Sequence, residues 1–147
     1  MAILGRELDR AIAGEPRLLL LAGEPGIGKT RLAQELVASA ASRGMATAWG
    51  RCIEGGGVAP FLPWRQVLGS LARAKPASLD ALAPGVLQEL ATITPAFGDR
   101  PPEASSRPMR AEERFRLFDS VCAFVGQACE EPGAAVVLDD LHWADPS

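Results

Sequence analysis

Residues 23–30 read GEPGIGKT, a spacing of glycines, lysine and hydroxyl that fits G-x-x-x-x-G-K-[ST] at every fixed position. Those residue types in that order suit the holding of a polyphosphate. Backbone amides can crowd around anionic oxygens only where no Cβ intervenes, and Gly23, Gly26 and Gly28 leave that room. A helix opening at Lys29 would add free N–H groups and the positive end of its dipole. Lys29 supplies a full charge for the β- and γ-phosphates, and the Thr30 hydroxyl is placed to ligate Mg²⁺. Glu24, Pro25 and Ile27 inside the loop and Arg31 just beyond it complete the stretch expected to touch a nucleotide.

Residues 135–140 read AVVLDD, an apolar run closed by two carboxylates. Taken alone, such a run is also what a strand-to-helix turn with solvated acids looks like. Downstream of a phosphate loop it predicts a buried strand that delivers Asp139 to Mg²⁺ as an inner or outer ligand. Asp140, one residue further, would face the γ-phosphate and orient or deprotonate an attacking water. Lys29 and Asp140 are thus the expected catalytic residues, Thr30 and Asp139 the expected metal ligands, and ATP with Mg²⁺ the expected cofactors. His142 stands after this strand without a partner at metal-ligand spacing, which favours packing or a loop hydrogen bond over proton transfer.

The elements that must position these residues follow from periodicity. RLLLLAG, residues 17–23, has the form of a strand buried on both faces. The helix after the loop places Leu32, Leu36, Val37 and Ala40 at helical spacing and stops at Gly44. A second strand is expected over 45–51, helices over 64–74, 78–91 and 109–129, and a last strand over 135–140. On the helix over 109–129, Phe115, Phe118, Val121, Cys122, Val125 and Cys129 form one apolar stripe, which puts Cys122 and Cys129 on a packed face. Residues 53–63 are rich in glycine and proline, and 94–108 reads as a flexible connection. Strands alternating with helices predict an α/β domain with a mainly parallel sheet, whose ligands sit beyond the carboxyl ends of the strands.

The chain has 147 residues, 48% of them hydrophobic, enough for one domain with a core. A net charge of −3 gives no electrostatic reason for direct contact with nucleic acid or an anionic membrane. The run RPMRAEERFR carries four arginines, but Glu112 and Glu113 interrupt it, as on a solvated helix face. The longest unbroken apolar run, residues 18–22, is far shorter than the roughly 20 that cross a bilayer, and the N-terminus lacks a signal-peptide pattern. A cytoplasmic location is expected. The three cysteines, Cys52, Cys122 and Cys129, have no metal spacing and read as reduced packing thiols.

GRELDR near the start, LLLLAGEPGIGKTRLAQEL, GRC followed by PFLPW, AEERFRLFDSV and VVLDDLHWADPS together resemble the AAA-like ATPase module of signal-transduction ATPases. That module is known from large ATP-binding transcriptional regulators of the LuxR type and from proteins carrying cyclase or kinase domains. The resemblance implies a P-loop three-layer sandwich. It implies that Gly5, Arg6 and Glu7 lie by the adenine and ribose, and that residues 23–30 and 135–140 are the Walker A and Walker B elements. It also implies a switch in which ATP binding drives self-association of the full-length protein and hydrolysis resets it. Family members continue with a helix, a strand carrying a γ-phosphate sensor, a nucleotide-reading arginine and further domains. In that fold the further strand lies between the phosphate-loop strand and the acidic strand. The chain is therefore expected to be an N-terminal part of the domain, incomplete at its C-terminus, with Asp145 and Pro146 announcing a helix. As an isolated piece it would hydrolyse ATP poorly.

Two other readings stay open. A non-hydrolysing scaffold would use ATP or ADP only to hold an assembly state. A small-molecule kinase would need an arginine-bearing lid, for which 88–107 is the only room, and its proline-rich composition argues against one.

Overall fold

The computed structural model describes residues 2–54, 61–98, 109–130 and 132–144. Helix α1 (Ala2–Ile12) comes first, and α2 (Lys29–Ser42) follows the glycine-rich loop. Strand β1 (Ala46–Arg51) leads to α3 (Leu62–Ala74), α4 (Ala77–Asp80) and α5 (Pro84–Ala91). Helix α6 (Ala111–Ala128) then returns the chain to β2 (Ala134–Asp139). The two strands pair in parallel from Ala46 opposite Ala134 to Arg51 opposite Asp139. One further bond, from the Cys52 N–H to the Asp139 carbonyl at 3.0 Å, carries the ladder past the strand ends.

Side-chain alternation sends the two faces of this sheet to different helices. Ala48, Val136 and Leu138 face a core built by α3, α5 and α6, with Val67, Leu68, Leu71, Leu90, Leu117 and Phe124 at its centre. Ala135 turns the other way, toward Leu8 of α1 and Leu36 and Ala40 of α2. The fold is therefore mixed α/β, with a small parallel sheet covered on both faces. In the larger core, Phe97 meets Phe124 edge-on with ring centroids 4.8 Å apart, a favoured aromatic geometry.

One close approach fixes α3. A Cβ built at Gly50 of β1 would fall on the Pro63 carbonyl, with the carbonyl carbon only 2.8 Å away. Glycine at 50 is what lets the first turn of α3 cross the strand. The Gln66 side chain then accepts the Arg51 N–H at 2.8 Å, so the end of β1 and the start of α3 form one joint.

Several expectations are corrected. The segment over 17–23 makes no strand, and Leu18 and Leu20 are 98% and 82% exposed. A strand is a property of a pair, and no described backbone group bonds to residues 16–22. The helix expected over 78–91 is split into α4 and α5, because Ala83 is held extended before Pro84. On α6 the buried row is Leu117, Ser120, Phe124 and Ala128, whereas Phe115, Phe118, Cys122 and Cys129 are exposed. Val121 and Val125 flank the core half-buried. The small Ser120 and Ala128 let the helix approach closely, which apolar counting does not see. Helix α1 had no sequence-based expectation, although its Leu4 and Leu8 lie one turn apart and are buried.

The connection expected over 94–108 begins in ordered chain, since Pro95–Phe97 forms a 3₁₀ turn and Phe97 is buried. Residues 99–108, most of the loop over 53–63, and the helix start at Asp145 and Pro146 lie outside the described residues.

Two substitutions test this packing. Gly50→Ala is expected to destabilise the fold by about 1–3 kcal/mol through overpacking. Phe124→Ala should cost about 3–5 kcal/mol through the cavity it leaves. Urea unfolding followed by circular dichroism measures both, and a neutral Gly50→Ala would refute the crossing described for α3.

Candidate nucleotide and metal site

The glycine-rich loop turns into α2 at Gly28, whose φ of 101° is one that a side chain would strain. No side chain caps α2, so the first-turn N–H groups remain for a ligand to satisfy. Lys29 folds back over the loop and donates to the carbonyls of Gly23 at 2.9 Å and Glu24 at 3.0 Å. These two bonds hold the ammonium at the loop.

Thr30, one residue into α2, donates its hydroxyl to the Asp139 carboxylate, 3.4 Å from Oδ1 and 3.3 Å from Oδ2. The contact joins residues 109 apart in sequence, brought together because α2 packs against β2. Asp140 follows with φ 57° and ψ 39°, a left-handed conformation that aspartate tolerates better than most residues. Its N–H returns to Asp139 Oδ1 at 3.0 Å. The chain thereby turns off the strand, and both carboxylates stay at its carboxyl end, where open α/β sheets place their ligands.

Arg51 completes the cluster. Opposite Asp139 in the ladder, it reaches Asp139 Oδ2 with Nη2 at 3.1 Å and Asp140 Oδ2 with Nε at 3.3 Å. Sequence reasoning placed Arg51 at the end of the expected strand over 45–51 and in the GRC resemblance, and gave it no role. The available signal was its position at the carboxyl end of a strand predicted to run parallel to the acidic one.

A cleft of about 930 Å³ lies between the segment over 17–22, the loop and β2. Gly23, Pro25, Gly26, Gly28, Lys29 and Thr30 line it, as do Asp139 and Asp140. Glu24, Ile27 and Arg31 are not among its lining residues, and Arg31 pairs instead with Glu35 one turn on, at 3.3 Å. Of the N-terminal trio, Glu7 reaches the cleft wall, where Arg17 holds it at 2.9 Å. Gly5 and Arg6 sit on α1 outside that wall. His142 also borders the cleft, with its ring beside Trp143 at a centroid distance of 4.9 Å.

A profile described as AAA ATPase domain matches residues 1–147, the whole chain. The chain belongs to the AAA ATPase domain family. Membership of an AAA domain family implies nucleotide binding, ordinarily with Mg²⁺. The AAA domain is also similar to an uncharacterized protein of Rhizobium meliloti (strain 1021), at 23% identity over 98% of this chain. The chain spans 15% of that relative's length. No solved structure matches it.

The side chains of this AAA domain fit a hard divalent cation. A hydroxyl and a carboxylate converge on one point beside the amide-rich loop, as suits an ion that keeps several waters and takes phosphate oxygens. Among the described residues no three His, Cys, Asp or Glu side chains cluster as a self-sufficient metal cage. None of the described helices is long and apolar enough to cross a membrane.

Cys52 adjoins the acids from the end of β1. Burial first, then the charges of Asp140 and Asp139, push its thiol above the ordinary value of 9.0. Below that value the thiol is neutral whether the chain is folded or unfolded, and stability is unaffected. As pH rises beyond it, the unfolded chain releases the proton while the folded one keeps it, so stability falls. Cys52→Ala is expected to reduce the alkaline loss seen in thermal melts between pH 8 and 10. At pH 8 iodoacetamide should label exposed Cys122 well before Cys52, and equal labelling rates would contradict the closed strand end.

Proposed function

We propose that this AAA domain binds ATP with Mg²⁺ in the cleft and uses binding and hydrolysis as a switch within a larger regulatory protein, in signalling or transcription control of the LuxR type. In this reading the chain is part of a P-loop three-layer sandwich, with residues 23–30 as Walker A and 135–140 as Walker B. The observation that carries the proposal is the Thr30 hydroxyl set against the Asp139 carboxylate from the far end of the sequence. A hydroxyl at the start of a loop-borne helix and an acid at a strand end are the pair that holds a phosphate-bound ion in P-loop proteins.

The roles follow from position. The amides of the loop and of the first turn of α2 hold phosphate oxygens, and Lys29 exchanges its two loop carbonyls for them. Thr30 and Asp139 hold Mg²⁺, which when bound neutralises charge developing on the phosphates. Asp140, beyond the metal ligands and partly open to solvent, orients or deprotonates water for in-line attack. Glu7 at the cleft wall is the member of the N-terminal trio placed to meet the nucleoside.

The contact between Arg51 and Asp140 favours a second reading, the nucleotide-gated scaffold that never hydrolyses, because it occupies the carboxylate that water would need. Self-association in response to nucleotide belongs to either reading.

Titration calorimetry with ATP, with and without Mg²⁺, tests the proposal. Lys29→Ala is expected to weaken ATP binding on the order of ten- to hundredfold, the scale of a lost charged hydrogen bond. Asp139→Ala should erase the Mg²⁺ dependence while leaving metal-free binding in place. In a longer protein that carries the rest of the domain, Asp140→Ala should leave affinity unchanged and abolish phosphate release. An active Asp140→Ala there would remove Asp140 from the reaction, and a wild-type longer protein that binds ATP without turnover would favour the scaffold.

A further inference from the structure

We propose that Arg51 is a resident counter-cation of the metal site, holding the two acids while the site is empty and yielding them when a divalent ion arrives. This rests on the reading of Thr30 and Asp139 as metal ligands. It adds a residue that opposes the ion.

Asp139 is crowded with donors. Its Oδ1 accepts the Asp140 N–H and its Oδ2 accepts Arg51, while the Thr30 hydroxyl lies within reach of both oxygens. Magnesium binds a carboxylate oxygen at about 2.0–2.1 Å and demands near-octahedral geometry, so it competes with these donors for the space around the oxygen that it takes. The Asp140 N–H is fixed by the backbone turn, and the Thr30 hydroxyl can serve as a ligand itself. The group left to withdraw is the guanidinium. It is also the group that like charge would drive away from an arriving cation.

Surface ion pairs usually contribute little, but this one differs in two respects. The guanidinium spans both carboxylates through separate nitrogens, and the Asp139 side chain is only 14% exposed. Arg51 itself is 52% exposed, which leaves its side chain a route into solvent once displaced. Its backbone, by contrast, is pinned by the ladder to β2 and by the Gln66 side chain at 2.8 Å. The side chain can therefore leave and return without the strand moving. Among the described charged groups around the pair, Lys29 is turned onto the loop carbonyls and does not supply the neutralising charge in its place.

The test is Mn²⁺ affinity in the presence of a saturating non-hydrolysable ATP analogue, read as loss of the free Mn²⁺ signal in electron paramagnetic resonance. Arg51→Met keeps most of the side-chain volume and removes the charge. It is expected to tighten Mn²⁺ binding on the order of tenfold, while analogue affinity without metal stays within about twofold of wild type. Arg51→Lys, whose single ammonium cannot span both acids, should tighten it by less, roughly threefold, and carries the test alone if Arg51→Met does not fold. A merely structural arginine would weaken the site when removed. Wild-type binding with equal or weaker Mn²⁺ affinity in the folded variants would overturn the role given to Arg51 and leave the metal site standing. Absence of Mn²⁺ binding in wild type and variants alike would overturn both.

Discussion

Parallel pairing of β1 with β2 is the constraint on which the site depends. The register that sets Arg51 opposite Asp139 brings together two strand ends separated by most of the chain. Helix α2 is then laid against β2, so the start of that helix, and with it Thr30, arrives at the same carboxyl end. None of these residues is positioned by its own loop alone. The loop supplies flexible backbone and a charge, while the sheet supplies the fixed point against which that charge has meaning.

The two faces of the sheet divide the remaining work. The larger core of α3, α5 and α6 holds the strands from one side and includes the most deeply buried side chains, among them Phe124, Leu68 and Leu71. The smaller cluster between α1, α2 and the strands is thin and rests on residues such as Leu8, Ala40 and Met45. The glycine-rich loop thus leads into the less heavily packed side, where local opening costs least. The acids are rooted in the better-packed strand pair.

Much of the site was legible in the sequence because its parts are local. The phosphate-loop spacing lies within eight residues, and the acids end an apolar run. Strands at 45–51 and 135–140 and helices near 64–74 and 109–129 also emerged close to their observed limits, since each has its own periodicity and stop signals. What escaped depended on partners. The leucines after Arg17 look like a buried strand in composition, yet no described strand pairs with them. On α6 two apolar rows compete, and only the neighbouring helices decide that Leu117 and Phe124 turn inward while Phe115 stays 73% exposed. The contact of Arg51 with the acids could not be read from the sequence because it comes from a strand almost ninety positions away.

The same leucine segment also bears on association. Leu18 and Leu20 are exposed beside backbone groups that no described residue engages. Exposed apolar chain with unpaired amides and carbonyls is a surface on which another strand, or a second copy of this chain, can pair.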